Sequence, residues 1–586
     1  MNTFNQPIAG AWDLTIPVRK QEYLAIGLAV INSLTNLISL IFIALIARDI
    51  HEPKFGMAMA NLDAIAVAIS LFTRIWSFRV SHLAAYRLEN ILRTALTAHL
   101  ATVSLGYTQT LGAGTIKKIV QDDVRALHGF VADSVPLFGR AYTTPIATLP
   151  LLFIVDWRMA LASIATLPIG LGAMSLAMKD YAQKREEYDR ANENINSTVI
   201  EFVQGMQVVR TFDNGTSSFD RYQQSLDLFT QKLRDWTEAT IASGRVGTLL
   251  FKSLPGLIIV LGVGIYLTIQ GTLEIPILVL FLLLSANLNT SLEPIMLLNS
   301  FISEARASAL RIGSIFAEPA LAQPTDPQMP QDSSIAFKDV SFSYDPDRQI
   351  LQNIDLDLAA GTVTAIVGLS GAGKTTLLRL IPRFWDVSSG SIEIGGVDLR
   401  QMTTDTLMSW ISFVFQDTFL VNDSIRANIC LGKPDATTAE IEAAAQSACA
   451  HDFILNLADG YNTIVGERGT RLSGGERQRI TISRAILQNN PIVILDEATA
   501  FADPENELLI QQAIAALTQG KTLVVVAHRL ATIQNADRIV VLDRGKVVEQ
   551  GNHSELIASA GLYFRLWNTA QTARNWQLSA RSRMLT

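Results

Sequence analysis

The chain has 586 residues, 49% of them hydrophobic and only 17% charged, with a formal net charge of −7 and a positive mean hydropathy. That length calls for two or more domains, and so low a charged fraction points to a membrane protein. The acidic balance offers no footprint for nucleic acid, and two cysteines, Cys430 and Cys449, with no histidine cluster beside them indicate neither a disulfide framework nor a zinc site.

The first 21 residues hold no apolar core followed by a small-residue cleavage site, so a secretory signal is not expected. Six stretches, 23–47, 57–78, 134–155, 159–178, 247–270 and 276–300, are apolar enough to be membrane spans, since about 20 such residues cross a bilayer. The helical core of a soluble protein is the plain alternative, and six segments of this length weigh against it. Between Gly56 and Gly106 there is neither glycine nor proline. A helix over that stretch runs roughly 70 Å, against a hydrocarbon core of ~30 Å, so it must project beyond the membrane. A second projection follows the fourth span over 179–204 and returns through 216–243. Lysine and arginine crowd both projections (Lys117, Lys118, Arg125, Lys184, Arg185, Arg190, Arg210, Arg221, Lys232, Arg234), while the opposite connections carry few. The positive-inside rule therefore places the N-terminus, both projections and the C-terminal half in the cytoplasm.

Polar residues remain inside the spans. Asn32 and Asn36 share a face of the first helix, as do Asn289 and Glu293 on the sixth; Asp63, Arg74 and Lys252 sit near span ends or interiors. Intramembrane polar and ionisable groups are candidates for a substrate path by default, with interhelical hydrogen bonding or snorkelling as the structural alternative. Asn32, Asn36, Asn289 and Glu293 are the path candidates. The segment AEPALAQPTDPQMPQ, with four prolines, reads as a linker. The expected division is a transmembrane domain over 1–312, a linker over 313–333, a soluble domain over 334–570 and a tail over 571–586.

In the soluble half an apolar run, Val363 to Val367, leads into GLSGAGKTT and then a helical stretch. Strand, glycine loop and helix make the context of a Walker A loop. Its amides, from Gly368 through Ser370, Gly371 and Gly373, can close around phosphates. Lys374 adds a charge, Thr375 a hydroxyl for Mg²⁺, and Thr376 completes the loop. Tyr344 ends a strand upstream, where an aromatic can stack on adenine; a strand-end core tyrosine is the alternative. Gln416 follows the apolar run Ile411–Phe415 and can reach Mg²⁺ or an attacking water. LSGGERQ opens a helix with a serine and two glycines, a second anion site through its free N–H groups. Asp496 ends a buried strand, where P-loop enzymes hold Mg²⁺; Glu497 beside it can polarise water, and His528 ends another strand. Ligands of open α/β sheets bind at the carboxyl ends of strands, so these polar strand ends argue for one γ-phosphate site.

GLSGAGKTT, Gln416, LSGGERQ, IVILDE and His528, in this order, resemble the ATP-binding cassette (ABC) ATPases, whose signature is LSGGERQ. With six spans and two projections before them, residues from about 20 to 570 look like a half-transporter of the ABC exporter fold. That is a multidomain chain: an all-α six-helix transmembrane domain followed by an α/β P-loop ATPase domain. The resemblance implies that two such chains pair, each ATP lying between the Walker A loop of one and the signature of the other. It implies adenine stacking by Tyr344, phosphate binding by Lys374 and the loop amides, and Mg²⁺ held by Thr375, Gln416 and Asp496. Glu497 would be the catalytic base and His528 a γ-phosphate contact, while Ser473 and Gly475 would touch the partner's nucleotide. Val465-Gly466-Glu467-Arg468 resembles the segment that meets coupling helices, expected near 109–123 and 208–222.

Where the family usually reads ATSALD, this chain reads Ala498-Thr499-Ala500-Phe501-Ala502-Asp503 followed by PENE. That form, and the tail NTAQTARNWQL, are similar to half-transporters that import ferric siderophores of the yersiniabactin and mycobactin type as heterodimers. No extra flavin-binding domain, carried by some mycobacterial relatives, is expected here. The reading is thus an ATP-hydrolysing subunit of a bacterial inner-membrane transporter that imports a ferric siderophore beside a second, non-identical half. An exporter of lipid, drug or peptide is the rival within the fold, and a non-transporting regulatory membrane ATPase the rival of another class.

Overall fold

The computed structural model describes residues 8–48, 53–178, 181–206, 211, 217–345, 348–416, 418–496, 504–526 and 533–572. The chain divides into two compact units, Met1–Ala101 with Gly112–Glu318, and Thr102–Leu111 with Pro319–Thr586.

The regular structure of the first unit is helical among the described residues. Helix α1 (Arg19–Arg48) is followed by α2 (Pro53–Leu100), whose 48 residues make it about 72 Å long. Helix α3 (Leu105–Lys117) is interrupted at Gly112, whose φ of 73° and ψ of 149° suit glycine and little else; the division between the units falls at this break. Two π-helical turns, Lys118–Asp123 and Phe130–Ser134, lead into α4 (Val135–Val155). Then follow α5 (Trp157–Ile164), α6 (Thr166–Met178), α7 (Tyr181–Gln204), α8 (Ser217–Phe251), α9 (Ser253–Ile269) and α10 (Ile275–Ala317). Among the described residues, three helical stretches, Ile16–Arg48, Lys54–Leu100 and Leu105–Val155, are long and apolar enough to cross a membrane, and Ser253–Ile269 and Ile275–Asn289 are shorter apolar helices.

The interruptions have local causes. The span expected over 159–178 is two helices meeting at Ala165, because Pro168 has no N–H to return to the Ile164 carbonyl. Likewise the span expected from 247 breaks at Lys252, in extended conformation, because Pro255 cannot bond to Phe251. Between α4 and α5 the Asp156 carboxylate accepts the Arg158 and Met159 N–H groups at 2.8 and 3.3 Å, capping α5, and pairs with the Arg158 guanidinium. Helix α10 runs past 312 to Ala317 and stops at extended Glu318, the residue before Pro319.

Close packing in this unit relies on small residues. A Cβ on Gly139 of α4 would lie 2.6 Å from Ala29 Cβ and 3.0 Å from the Ile26 carbonyl of α1, so the two helices touch through backbone. Gly139→Val is expected to destabilise the unit by about 1–3 kcal/mol, the usual cost of overpacking, visible as an earlier detergent or thermal unfolding midpoint. Buried Asp123 accepts both Arg311 Nη2 and Nε (2.6 and 2.8 Å) and Ser308 Oγ, tying the π-helical turn to the lower part of α10.

The second unit is α/β. Strand β1 (Ile335–Asp345) pairs antiparallel with β2 (Arg348–Leu358) and with β4 (Ser389–Ile394), and β5 (Val397–Asp398) extends that sheet. The second sheet has the order β10-β9-β3-β8-β7-β6. In it β3 (Val363–Gly368), β6 (Ile411–Val414), β7 (Ile492–Asp496), β8 (Thr522–Val526) and β9 (Arg538–Asp543) are parallel, and β10 (Lys546–Gly551) is antiparallel at the edge. β7 is buried along its whole length and β3 and β8 along most of theirs, as expected of parallel strands covered on both faces. Their carboxyl ends therefore share one edge of the sheet.

Candidate functional site

The site begins where β3 ends. Gly368 has a φ of 153°, and a Cβ there would come within 2.2 Å of the Leu542 carbonyl oxygen. Gly373, at a φ of 101°, caps helix α11 (Lys374–Leu380), and its Cβ would meet Leu351 at 2.8 Å. Only glycine satisfies both conformation and space, so the loop backbone is free to face a ligand. Ser370 and Gly371 form its exposed tip. Lys374 opens α11, is 8% exposed, and donates from Nζ to the Gly368 and Leu369 carbonyls at 3.0 Å each. The ammonium is thus held inside the loop's own concavity, where phosphates would lie.

Around the loop the sheet edge supplies the other groups. Asp496, the last residue of β7 and 2% exposed, is in register with Val526 of β8, which pairs with Ile366 of β3. Its Oδ1 lies 3.5 Å from Thr375 Oγ1. Gln416 follows β6 two residues on and is exposed. Glu497 and His528, like Phe501 to Asp503, lie outside the described residues. Tyr344 donates to or accepts from Thr376 Oγ1 at 3.1 Å and packs edge-on against Phe342 and Trp385 (ring centroids 4.8 and 5.1 Å), with 48% of its surface open. It is at once a half-exposed aromatic beside the loop and part of an aromatic cluster.

Trp385 was not singled out by sequence, although its place just past the Walker A helix gave a signal. A Cβ on Gly106 would lie 1.9 Å from its indole ring, and the Gly106 N–H donates to the Phe384 carbonyl at 2.9 Å. The segment Thr102–Leu111, which continues from α2, is therefore built into the second unit beside the aromatic cluster of Tyr344. It overlaps the coupling segment expected near 109–123; most of 208–222 lies outside the described residues.

The second loop of interest opens helix α12 (Gly474–Gln488). Ser473 Oγ accepts the Glu476 N–H while the Glu476 carboxylate accepts the Ser473 N–H, a complete capping box. Gly475 is buried, and its Cβ would press on the Asn506 side chain at 2.9 Å. Asn506 in turn accepts Arg479 Nη1 at 2.5 Å. These bonds fix the LSGGERQ turn, leaving Ser473 and Gly474 exposed at its surface. Upstream, Gly466 and Arg468 both take positive φ (78° and 54°).

The site residues suit a magnesium nucleotide. The glycine cradle leaves room for phosphates, Lys374 brings a buried charge, and a hydroxyl and a carboxylate 3.5 Å apart are oxygen donors of the kind Mg²⁺ takes. Thr375 and Asp496, with Gln416 two residues past the end of the neighbouring strand β6, would hold the ion, which when bound would neutralise phosphate charge.

In the first unit a cavity of about 230 Å³ is lined by polar groups, among them Asn32, Asn36, Thr144, Asn287 and Ser291, and by Arg74 and Arg140. Asn32 donates to the Ser70 carbonyl and hydroxyl at 2.7 and 2.9 Å, and Asn36 to Asn287 Oδ1 at 3.5 Å. Asn289 is elsewhere: fully buried, its amide fills the space over Gly256. The Glu293 side chain lies outside the described ones.

Comparison with known proteins bears on both units. Residues 23–292 match the family model of the ABC transporter transmembrane region, and residues 351–500 that of the ABC transporter. The chain is 34% identical over 588 residues to the mycobactin import ATP-binding/permease protein IrtA of Mycolicibacterium thermoresistibile, an alignment covering 96% of this chain and 64% of that protein. It thus spans less than two thirds of that relative's length. It is 35% identical over 484 residues to the ATP-dependent lipid A-core flippase of Syntrophus aciditrophicus, covering 81% of this chain and 79% of the flippase. Among solved structures, that of a bacterial Atm1-family ABC exporter with ATP bound superposes with a TM-score of 0.73 at 26% identity, covering 94% of this chain and 98% of the other.

Proposed function

The chain belongs to the ABC transporter family, and from that premise we propose that it is one half of an ATP-driven importer of a ferric siderophore, paired with a non-identical half in the bacterial inner membrane. The family and fold are those of a half-transporter, a helical membrane domain fused to an ATPase domain that binds and hydrolyses ATP, and such halves work as dimers. The observation that carries ATP-driven transport is the sheet edge itself. Lys374, Thr375 and Asp496 converge beside Tyr344 in the same unit that incorporates Thr102–Leu111 of the helical half. Import of a siderophore is supported by the match along 96% of this chain to a mycobactin import protein and by the ATAFADPENE departure, which resembles that group. Export is the second reading, favoured by the likeness to a lipid A-core flippase and to an Atm1-family exporter.

Mechanistically, ATP bound by the Walker A loop of one chain and the signature turn of its partner draws the two ATPase domains together. Lys374 and the loop amides hold the β- and γ-phosphates, Thr375, Asp496 and Gln416 would hold Mg²⁺, and Tyr344 stacks on the base. Glu497 takes the proton of the attacking water, and His528 contacts the γ-phosphate. The long α2 and the Thr102–Leu111 segment that follows it pass the closure to the spans and switch access to the cavity. The domains of this reading are a transmembrane domain over 1–312, a linker over 313–333, an ATPase domain over 334–570 in the cytoplasm and a tail over 571–586, whereas the compact units divide after Glu318 and assign Thr102–Leu111 to the second.

Two measurements test this reading. Glu497→Gln should retain ATP binding while turnover falls by about 10²-fold or more, the usual weight of a general base; near-normal turnover refutes its role. In the assembled pair, the ferric form of a mycobactin-type siderophore should stimulate ATPase activity above its iron-free form. Equal response to both, with stimulation by lipid A or a hydrophobic drug instead, would replace import with export.

A further inference from the structure

The cavity of the helical unit holds two guanidinium groups that the transport reading leaves unused. Arg74 lies on α2 and Arg140 on α4, within two of the expected spans, and both line the same space. Among the described residues neither is within ion-pair distance of a carboxylate. Asp63, about three turns from Arg74 on the same helix, accepts a hydrogen bond from Ser39 Oγ at 2.5 Å and does not line the cavity. The rest of the wall is neutral: Asn32, Asn36, Thr144 and Ser291. Cationic side chains are rare within spans and face interior or water-filled cavities where they serve a path. Two cationic side chains that line one cavity, with no carboxylate paired to either among the described residues, suit an anionic ligand.

We propose that Arg74 and Arg140 form a recognition site for a compact anionic group, a carboxylate, phenolate or phosphate, on the molecule that this transporter carries. The guanidinium fork is suited to two-pronged bonding of such groups. The volume of about 230 Å³ falls below that of pockets for whole drug-sized ligands, ~300–1,000 Å³, so the site grips one substituent. The amides and hydroxyls of Asn36, Thr144 and Ser291 complete a polar cradle around it. Two sources offer this chemistry, a soluble anionic iron chelate and a lipid headgroup. The proposal rests on reading the chain as a transporter but not on the direction of transport.

The test uses the assembled transporter in phosphatidylcholine nanodiscs. Its probes are a pyrene-labelled fatty acid, the methyl ester of the same compound, and pyrene-labelled phosphatidic acid. The wild type should bind the acid at least about tenfold more tightly than the ester, since a hydrogen bond between charged groups typically accounts for tenfold to a hundredfold. Arg74→Gln and Arg140→Gln should each remove most of that preference, and the double variant should bind acid and ester alike. Arg74→Lys and Arg140→Lys should keep part of it, which a variant that merely misfolds would not. An undiminished acid preference in the double variant, or no preference in the wild type, overturns the proposal. Competition by a soluble ferric chelate that depends on both arginines assigns the site to a water-borne solute; competition by phosphatidic acid alone assigns it to lipid. If no ferric chelate binds or stimulates ATPase while the acid preference stands, it is the import reading that fails.

Discussion

Lys374→Ala is expected to lower ATP turnover by about two to three orders of magnitude, the range seen when one preorganised charge is removed from a site where negative charge develops. The side chain is almost fully enclosed, 8% exposed, and its ammonium rests on the Gly368 and Leu369 carbonyls at the mouth of the loop. Nothing else within the loop carries a positive charge, so the β- and γ-phosphates would keep only the amides. Nucleotide affinity, read by equilibrium binding of a fluorescent ATP analogue, should fall at least about tenfold. The fold should survive, because the lysine's bonds are to a loop whose shape is set by Gly368 and Gly373. Unchanged affinity would remove Lys374 from the phosphate site.

Gly106→Val is the second large effect, and it acts on coupling rather than on chemistry. A Cβ at this position would stand 1.9 Å from the Trp385 ring, and that ring is held between Phe342 and Tyr344. The loop must retreat or the indole must turn, at a cost of about 1–3 kcal/mol. ATP-driven flux should fall about tenfold or more while hydrolysis that depends on Glu497 persists, a loss of flux per ATP. Because the obstacle is the indole itself, Gly106→Ala combined with Trp385→Ala should recover more flux than either change alone allows. Such non-additivity is the mark of two groups in contact. Additive losses would place the Gly106 effect elsewhere.

The nucleotide half was legible in sequence because its groups sit at fixed distances along the chain. The Walker A loop, Asp496 and the LSGGERQ turn are each strand-end or helix-start features, and parallel pairing places strand ends at one edge. The length of α2 was legible from the absence of glycine and proline. Other features depend on tertiary placement and leave no local trace. Asn289 shares a helical face with Glu293 in sequence, yet its own side chain meets Gly256 and the amide is buried there. Arg140 drew no notice in sequence, yet the fold sets it in the wall of the cavity that Arg74 also lines. The contact of Gly106 with Trp385 joins residues far apart in the chain. Helix breaks at Ala165 and Lys252 were written in Pro168 and Pro255, but apolarity masked them.

The central claim, ATP-driven movement toward the nucleotide side, is tested most directly by directional flux. The chain and a candidate partner half are reconstituted in liposomes preloaded with a labelled ferric siderophore, vesicles with outward-facing ATPase domains are selected, and ATP is added outside with Glu497→Gln as the control. ATP-dependent loss of label from the lumen is the predicted result, equivalent to import in the cell. No such loss, together with inward accumulation of an externally added hydrophobic dye, would contradict it and make the protein an exporter.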